Sequence, residues 1–506
     1  MDTNYYDVIV CGGELTGLIA AALLGRRGFR VLLVGHDADR PTFEAAGHTL
    51  PRGPALLPSL DSPPVARVLS ELNCVQVVRR RAPALHPGFQ VALPRHRFDV
   101  PADDEALLTE LRREFAADAA TIMAATTRLG ETSAVLEPVL GSELTLPPDG
   151  FWERREVARL ESLLPKLGTD LLSPLPPEHP WRAVVAAPAA LAGALGPSDL
   201  GTVGQARSFA LARRGLHRLE GGTTALHALF LDKLGTYAGE KRERLTPIEI
   251  VQKRGKAVGI RFRPRDETIG AEHLIWAGPA AAMYALCGEK PRKGRETSGG
   301  LHVACYRYGL ALLVGAEAIP EGMGSRVFLI ADPSRPLLEE NAIAVTVGPS
   351  SAREGGRVHI WAECLVPAPA VDGGPGYLRA VRGRVRKQLA KLIPFFAEHL
   401  LVLASPYDGL PPELPAGVKA PPAAASGDAP LLPMPPVYSA ESARAFDVVG
   451  LPHATGIKNL ILAGRENLPG LGMEGEFVSA WGVLRLVAGT QPKRDVRRRE
   501  VLLSEG

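Results

Sequence analysis

Tyr6-Asp7-Val8-Ile9-Val10-Cys11-Gly12-Gly13-Glu14-Leu15-Thr16-Gly17 is the stretch whose reading decides the fold class. Tyr6–Cys11 is a β-branched apolar run, which suits a parallel strand buried on both faces. A glycine turn follows, then Leu15–Leu24, a small-residue apolar helix that Gly28 closes. Phe29–Val34 reads as a second buried strand. Strand, glycine turn, helix and strand within about 30 residues form a βαβ unit with a right-handed crossover.

The turn stands where a G-x-G-x-x-G dinucleotide fingerprint stands. Gly12 and Gly17 are its first and third glycines, Gly13 lies between, and Glu14 replaces the second. That second glycine normally lets a pyrophosphate reach the backbone at the helix N-terminus. A glutamate there sets bulk and negative charge in the phosphate's place. At about 4 Å and an effective dielectric of about 20, each like-charge pair costs roughly 4 kcal/mol. The fingerprint's ribose-binding acid belongs at the end of the second strand, where the chain has Gly35; Asp37 is the substitute two residues on. Gly12 and Gly17 also have a reading without any cofactor, as close packing of helix on strand.

Outward from this unit, Asp103–Leu129 reads as one long amphipathic helix, with more helix at Glu156–Leu164. Thr223–Leu234 is helical, and Ile248–Val251, Val258–Arg263 and His273–Trp276 read as strands. Residues 300–370 alternate apolar and polar, and Val327–Ile330 and Val358–Trp361 read as strands of a separate antiparallel sheet. Tyr377–Leu401 reads as helix, 409–436 as a Pro/Ala-rich loop, Asn459–Ala463 as a buried strand and Gly475–Val487 as helix. Residues 491–506 are a charged tail.

Composition narrows the function classes. With 58 basic against 55 acidic residues the formal charge is +3, and aromatics are 6%, so neither a polyanion-binding field nor a base-stacking surface is present. The five cysteines form no C-x-x-C pair and the twelve histidines show no metal spacing, so no metal site is expected. No G-x-S-x-G nucleophile elbow occurs. The start has no signal-peptide pattern and no apolar run reaches the roughly 18 residues of a membrane span, so a cytoplasmic protein is expected, with peripheral membrane contact left open.

Residues 460–480 read Leu-Ile-Leu-Ala-Gly-Arg-Glu-Asn-Leu-Pro-Gly-Leu-Gly-Met-Glu-Gly-Glu-Phe-Val-Ser-Ala. This resembles, without gaps, the C-terminal flavin motif of the phytoene desaturase and amine oxidase superfamily: a strand, Gly-Asp, three residues, Pro-Gly-x-Gly-x-x-Gly, then a helix. Gly464, Pro469, Gly470, Gly472, Gly475 and Ser479 match, and Arg465 stands at the family's Asp. The N-terminal unit resembles the same family's FAD-binding start, and 217–278 resembles its middle, by which Ile248 would lie against the adenine.

The resemblance implies an α/β fold: a discontinuous Rossmann-like FAD/NAD(P)-binding domain from 1–100, 201–295 and 446–490. A second α+β substrate domain, with a helical part and an antiparallel sheet, would come from 101–200 and 296–445. It implies an FAD-dependent oxidoreductase acting on an apolar, isoprenoid-like substrate, with the cofactor held by Gly12, Gly13, Glu14, Gly17, Asp37, Ile248, Gly464, Arg465, Gly470, Gly472 and Gly475. No catalytic side chain can be nominated. The site departs from the family at Glu14, Gly35 and Arg465. The fold also occurs in Rab GDP-dissociation inhibitors, so the alternative is a flavin-free pseudoenzyme: a lipid carrier, a scaffold or a binder of a protein partner. The expected ligand in either case is an apolar small molecule or lipid.

Glu14 and Arg465 are opposite-sign departures at turns that should face each other. They would pair directly, or stand as unrelated surface charges, or Arg465 would contact the pyrophosphate. Glu474 and Glu476, near the start of the last helix, read as acids favoured by the helix dipole.

Overall fold

The computed structural model describes residues 5–36, 40–54, 56–148, 150–166, 168–196, 198–288, 300–349, 356–415, 417–418, 431–440, 446 and 448–489. Asp37 and the charged tail lie outside these residues, as does much of the Pro/Ala-rich stretch.

A seven-stranded sheet is built around the first strand, Tyr5–Cys11. That strand pairs in parallel with Val31–Val34 on one side and Glu267–Ala277 on the other. Glu240–Arg242 extends the sheet beyond Val31–Val34, also in parallel. The longer strand Glu267–Ala277 carries Lys256–Arg263 antiparallel along its first half and Leu460–Ala463 parallel along its second. One central strand thus has the N-terminal strand on one edge and the C-terminal strand on the other. Both glycine turns leave this sheet at the same, carboxyl end of its strands.

The first helix, Leu15–Arg26, is buried at every residue except its last. Such a helix must be small-sided, and it is: the last helix, Gly472–Ala488, and helix Gly222–Thr236 pack against it. Gly17 permits this closeness, because a Cβ there would lie 2.5 Å from the Ala277 Cβ.

The second sheet has eight strands, with Leu301–Gly315 pairing to Arg357–Pro367, Leu400–Ala404 and Pro436–Ala440. Ala342–Val347 and Arg326–Ile330 follow antiparallel. Helices Ala119–Leu140, Pro180–Ala192 and Thr202–Arg214 form the helical layer beside it. Trp181, buried completely, packs against Phe98, Phe115 and Phe209 at centroid separations of 5.9 to 6.2 Å. Aromatic pairs at such spacing add roughly 0.5–1.5 kcal/mol each beyond area burial.

Four sequence readings are corrected. The expected helix Asp103–Leu129 is two, Asp104–Glu114 and Ala119–Leu140, because Phe115 leaves helical geometry and turns its ring into the Phe98–Trp181 cluster. The helix Pro375–Leu392 stops short of Leu401. Ile393 precedes Pro394, which disfavours helical backbone at Ile393, and Leu400–Ala404 becomes an edge strand instead. The hairpin Phe89–Ala92 and Arg97–Val100, placed with residues 1–100 in the first domain, belongs to the second sheet, where Phe89–Ala92 pairs in parallel with Arg326–Ile330. Helix Thr202–Arg214, placed with 201–295, packs in the helical layer of the second sheet, because Ala206 and Phe209 face that core. The last two depend on pairings between segments far apart in the chain, which local pattern does not record.

Candidate functional site

A cleft of about 660 Å³ runs between the two sheets. One wall is made by the turns at the strand ends of the first sheet, and Gly12, Gly13, Glu14, Gly35, Arg465 and Gly472 line it. The opposite wall comes from the second sheet, with Arg307, Arg326, Phe328, Trp361 and Glu363, joined by Tyr407. The two ends of the chain therefore meet around one cleft. Of the other expected site residues, Gly17 lies behind it in the helix–strand packing. Ile248 sits at a bulge on Thr246–Lys253, the outer strand of the first sheet, and is not among the lining residues. Gly464, Gly470 and Gly475 stand behind the lining in the C-terminal turn.

The glycines are explained by close approach. Gly12 has φ +124°, and a Cβ there would lie 1.9 Å from the Ala277 carbonyl oxygen. Gly472, at φ +54°, would bring a Cβ 2.7 Å from the Ala192 oxygen. Cβ atoms at Gly470 and Gly475 would meet Val448 Cα at 2.8 Å and the Leu468 oxygen at 2.5 Å. Packing of this chain on itself therefore accounts for Gly470, Gly472 and Gly475 of the C-terminal turn.

The acids are the unusual part. Glu14 is the N-cap of the first helix, yet its side chain makes no capping bond there. Its carboxylate reaches across to the C-terminal turn. Oε2 accepts a hydrogen bond from the Arg465 backbone amide at 3.4 Å and lies 2.6 Å from where a Cβ on Gly464 would stand. Glu476, 4% exposed, accepts from the Thr16 amide at 3.3 Å and from the Thr16 hydroxyl at 3.5 Å. The positive end of the first helix is thus met by a carboxylate of the last helix. Of the three readings of Glu14 and Arg465, the two turns do meet: Glu14 bonds the Arg465 backbone amide, and the Arg465 guanidinium engages Glu476, Nε to Oε1 3.3 Å.

Glu474 stands in the first turn of the last helix, as expected, but is buried: it is 1% exposed and takes a bidentate bond from Arg207, itself fully buried. Arg207 also donates to Ser133 and Glu137, and Arg214 joins Glu137. Burial alone would raise the Glu137 pKa, and the hydrogen bonds from Arg214 and Arg207 more than reverse it, so its pKa is lowered.

Sequence reasoning missed Arg207 and the whole far wall: Arg307, Arg326, Trp361, Glu363 and Tyr407. The available signal was a charged residue inside an otherwise apolar element, as with Glu363 in Ile360–Val366 and Arg326 just before Val327–Ile330. Among the described residues no cluster of His, Cys, Asp and Glu is arranged to hold a metal ion, and no helix is long and apolar enough to cross a membrane.

An NAD(P)-binding Rossmann-like family model matches residues 10–72. No curated protein matches the sequence. Among solved structures, an oxidoreductase from Methanosarcina mazei is similar at 16% identity and TM-score 0.58, over 95% of this chain and 99% of that one. Cyclohexylamine oxidase from Brevibacterium oxydans IH-35A is similar at 14% identity and TM-score 0.53, over 96% and 100%. A Rab GDI from Plasmodium falciparum is similar at 11% identity and TM-score 0.51, over 96% and 98%. The chain therefore has a fold similar to that of these two enzymes and of the Rab GDI.

Proposed function

We propose that this chain is a non-catalytic binding protein built on the flavin-oxidoreductase fold, and that its cleft takes an apolar small molecule or lipid. One observation carries the reading: at the start of the first helix, Glu476 holds the Thr16 amide while the Glu14 carboxylate reaches over to the Arg465 amide. A dinucleotide's pyrophosphate belongs at that helix start. Two carboxylates there against one guanidinium repel a diphosphate, at roughly 4 kcal/mol for each like-charge pair at about 4 Å. The residues present do not fit FAD in its usual position.

The second reading is an FAD-dependent oxidoreductase. Its support is the volume of the cleft and two further cations, Arg40 and Arg52, that line it and would meet a phosphate's charge.

The discriminating experiment is to purify the full chain, record its visible spectrum and titrate it with FAD by calorimetry. The binder reading expects a colourless protein and no FAD binding in the micromolar range. A yellow protein that releases FAD on denaturation would overturn it in favour of the enzyme.

A further inference from the structure

The far wall of the cleft carries its charge differently from the near wall. Arg326, 4% exposed, donates to Thr346 Oγ1 at 2.6 Å and to Glu363 Oε1 at 3.2 Å. The other oxygen of Glu363 accepts from the Trp361 indole N–H at 3.1 Å. Glu363 is therefore committed to Arg326 and Trp361. Arg307 stands on the same wall, and its guanidinium donates to the backbone oxygens of Leu191 and Gly193. Among the described residues no carboxylate reaches it within ion-pair distance.

Arg307 thus stands beside the Arg326–Glu363 pair without a carboxylate of its own among the described residues, on a part-buried, mostly apolar surface. Leu191, Phe328, Leu432 and Met434 line the same cleft. Burial lowers the Arg307 pKa, and Arg465 and Arg326 push the same way against the attraction of Glu363. An arginine is not deprotonated in a protein, so the unbalanced charge persists. A partly desolvated cation without a counterion is costly to the fold and is repaid by an incoming anion. The carbonyls of Leu191 and Gly193 hold the planar fork in place, and a guanidinium has five N–H donors, more than these two bonds use. An oriented arginine of this kind suits a carboxylate.

We propose that Arg307, with Arg326 near it on the same wall, is the anion subsite of the cleft, and that the ligand is an apolar carboxylic acid whose body lies along Leu191, Phe328 and Trp361. This rests on the reading of the cleft as a ligand site and adds the ligand's charge. The polarity of the cleft sets the orientation. The acid group goes to Arg307 on the second sheet, where Arg326 and Arg465 add positive charge.

The test is calorimetric titration of the full chain with dodecanoate, dodecanol and dodecylamine at neutral pH. Dodecanoate should bind roughly 10- to 100-fold tighter than dodecanol, the usual worth of a hydrogen bond to a charged group. Dodecylamine should bind most weakly. Arg307→Met should lower dodecanoate affinity to that of dodecanol. Arg307→Gln, which can still donate to a backbone oxygen but carries no charge, should do the same and serves if the Met variant does not fold. Equal affinity for acid and alcohol, or a preference for acid that survives Arg307→Gln, overturns the subsite and leaves the cleft reading standing. If none of the three binds, the apolar-cleft reading falls with it.

Discussion

The Arg207 guanidinium and the Glu474 carboxylate form a fork-to-fork pair, Nε to Oε2 3.0 Å and Nη2 to Oε1 2.6 Å, with each side chain 1% exposed. Arg207 comes from the helical layer of the second sheet and Glu474 from the first turn of the last helix, which packs on the first sheet. The pair therefore ties the two halves of the molecule together at the edge of the cleft. A buried pair of this kind offsets its own desolvation but is expensive to break. Arg207→Met should lower unfolding stability by about 3–5 kcal/mol. Arg207→Met with Glu474→Leu should recover most of that loss. Urea melts of the two variants check it; a double variant no better than the single would show that the pair has no coupled role.

The acid block at the first helix predicts a gain of function. Glu14→Gly with Glu476→Ala removes both carboxylates and leaves the Thr16 amide and Arg465 to meet a phosphate. FAD or ADP affinity should rise by at least about 100-fold over wild type, given roughly 4 kcal/mol for each like-charge pair removed. Nucleotide titration reads it directly, and unchanged affinity would show that these acids are not what repels the diphosphate.

Gly12 predicts a steric failure. Alanine there would place Cβ 1.9 Å from the Ala277 oxygen at φ +124°, a backbone that L-residues rarely adopt. Gly12→Ala should cost at least about 2 kcal/mol. Gly255→Ala is the control, since its Cβ would meet nothing within 4 Å although its φ is +73°. The difference between the two melts reports the clash together with the greater strain of φ +124°, and equal losses would show that the close approach to Ala277 costs nothing.

His273 predicts a pH dependence. It lies on the central strand of the first sheet, 6% exposed. Burial lowers its pKa, Lys256 adds to this, and Glu272 and Asp7 oppose. The unfolded chain, near the ordinary pKa of about 6.5, therefore takes up the proton first as pH falls. The neutral folded form is favoured above about pH 6.5, and this share of stability is lost as pH drops from there through the lowered folded value. Thermal melts between neutral and mildly acidic pH should show a downward slope that His273→Gln flattens. A slope unchanged by the substitution would remove His273 as its source.

The apolar run Tyr6–Cys11, the glycines of the first turn and the spacing of Gly464 to Gly475 determined the fold class, because strand burial, helix packing and close backbone approach are local demands written at fixed intervals. Those same glycines suggested a cofactor, yet the structure uses them to pack the chain on itself. Which acid meets which base was a matter for tertiary structure alone. Arg465 engages Glu476, eleven residues on, while Glu14 reaches the Arg465 backbone and Glu474 turns inward to Arg207. Arg307 and Arg326 were invisible as a pair for the same reason. They sit on successive strands that the sheet separates by two others, and a side chain's charge balance is set by what the fold brings beside it, which no spacing in the chain encodes.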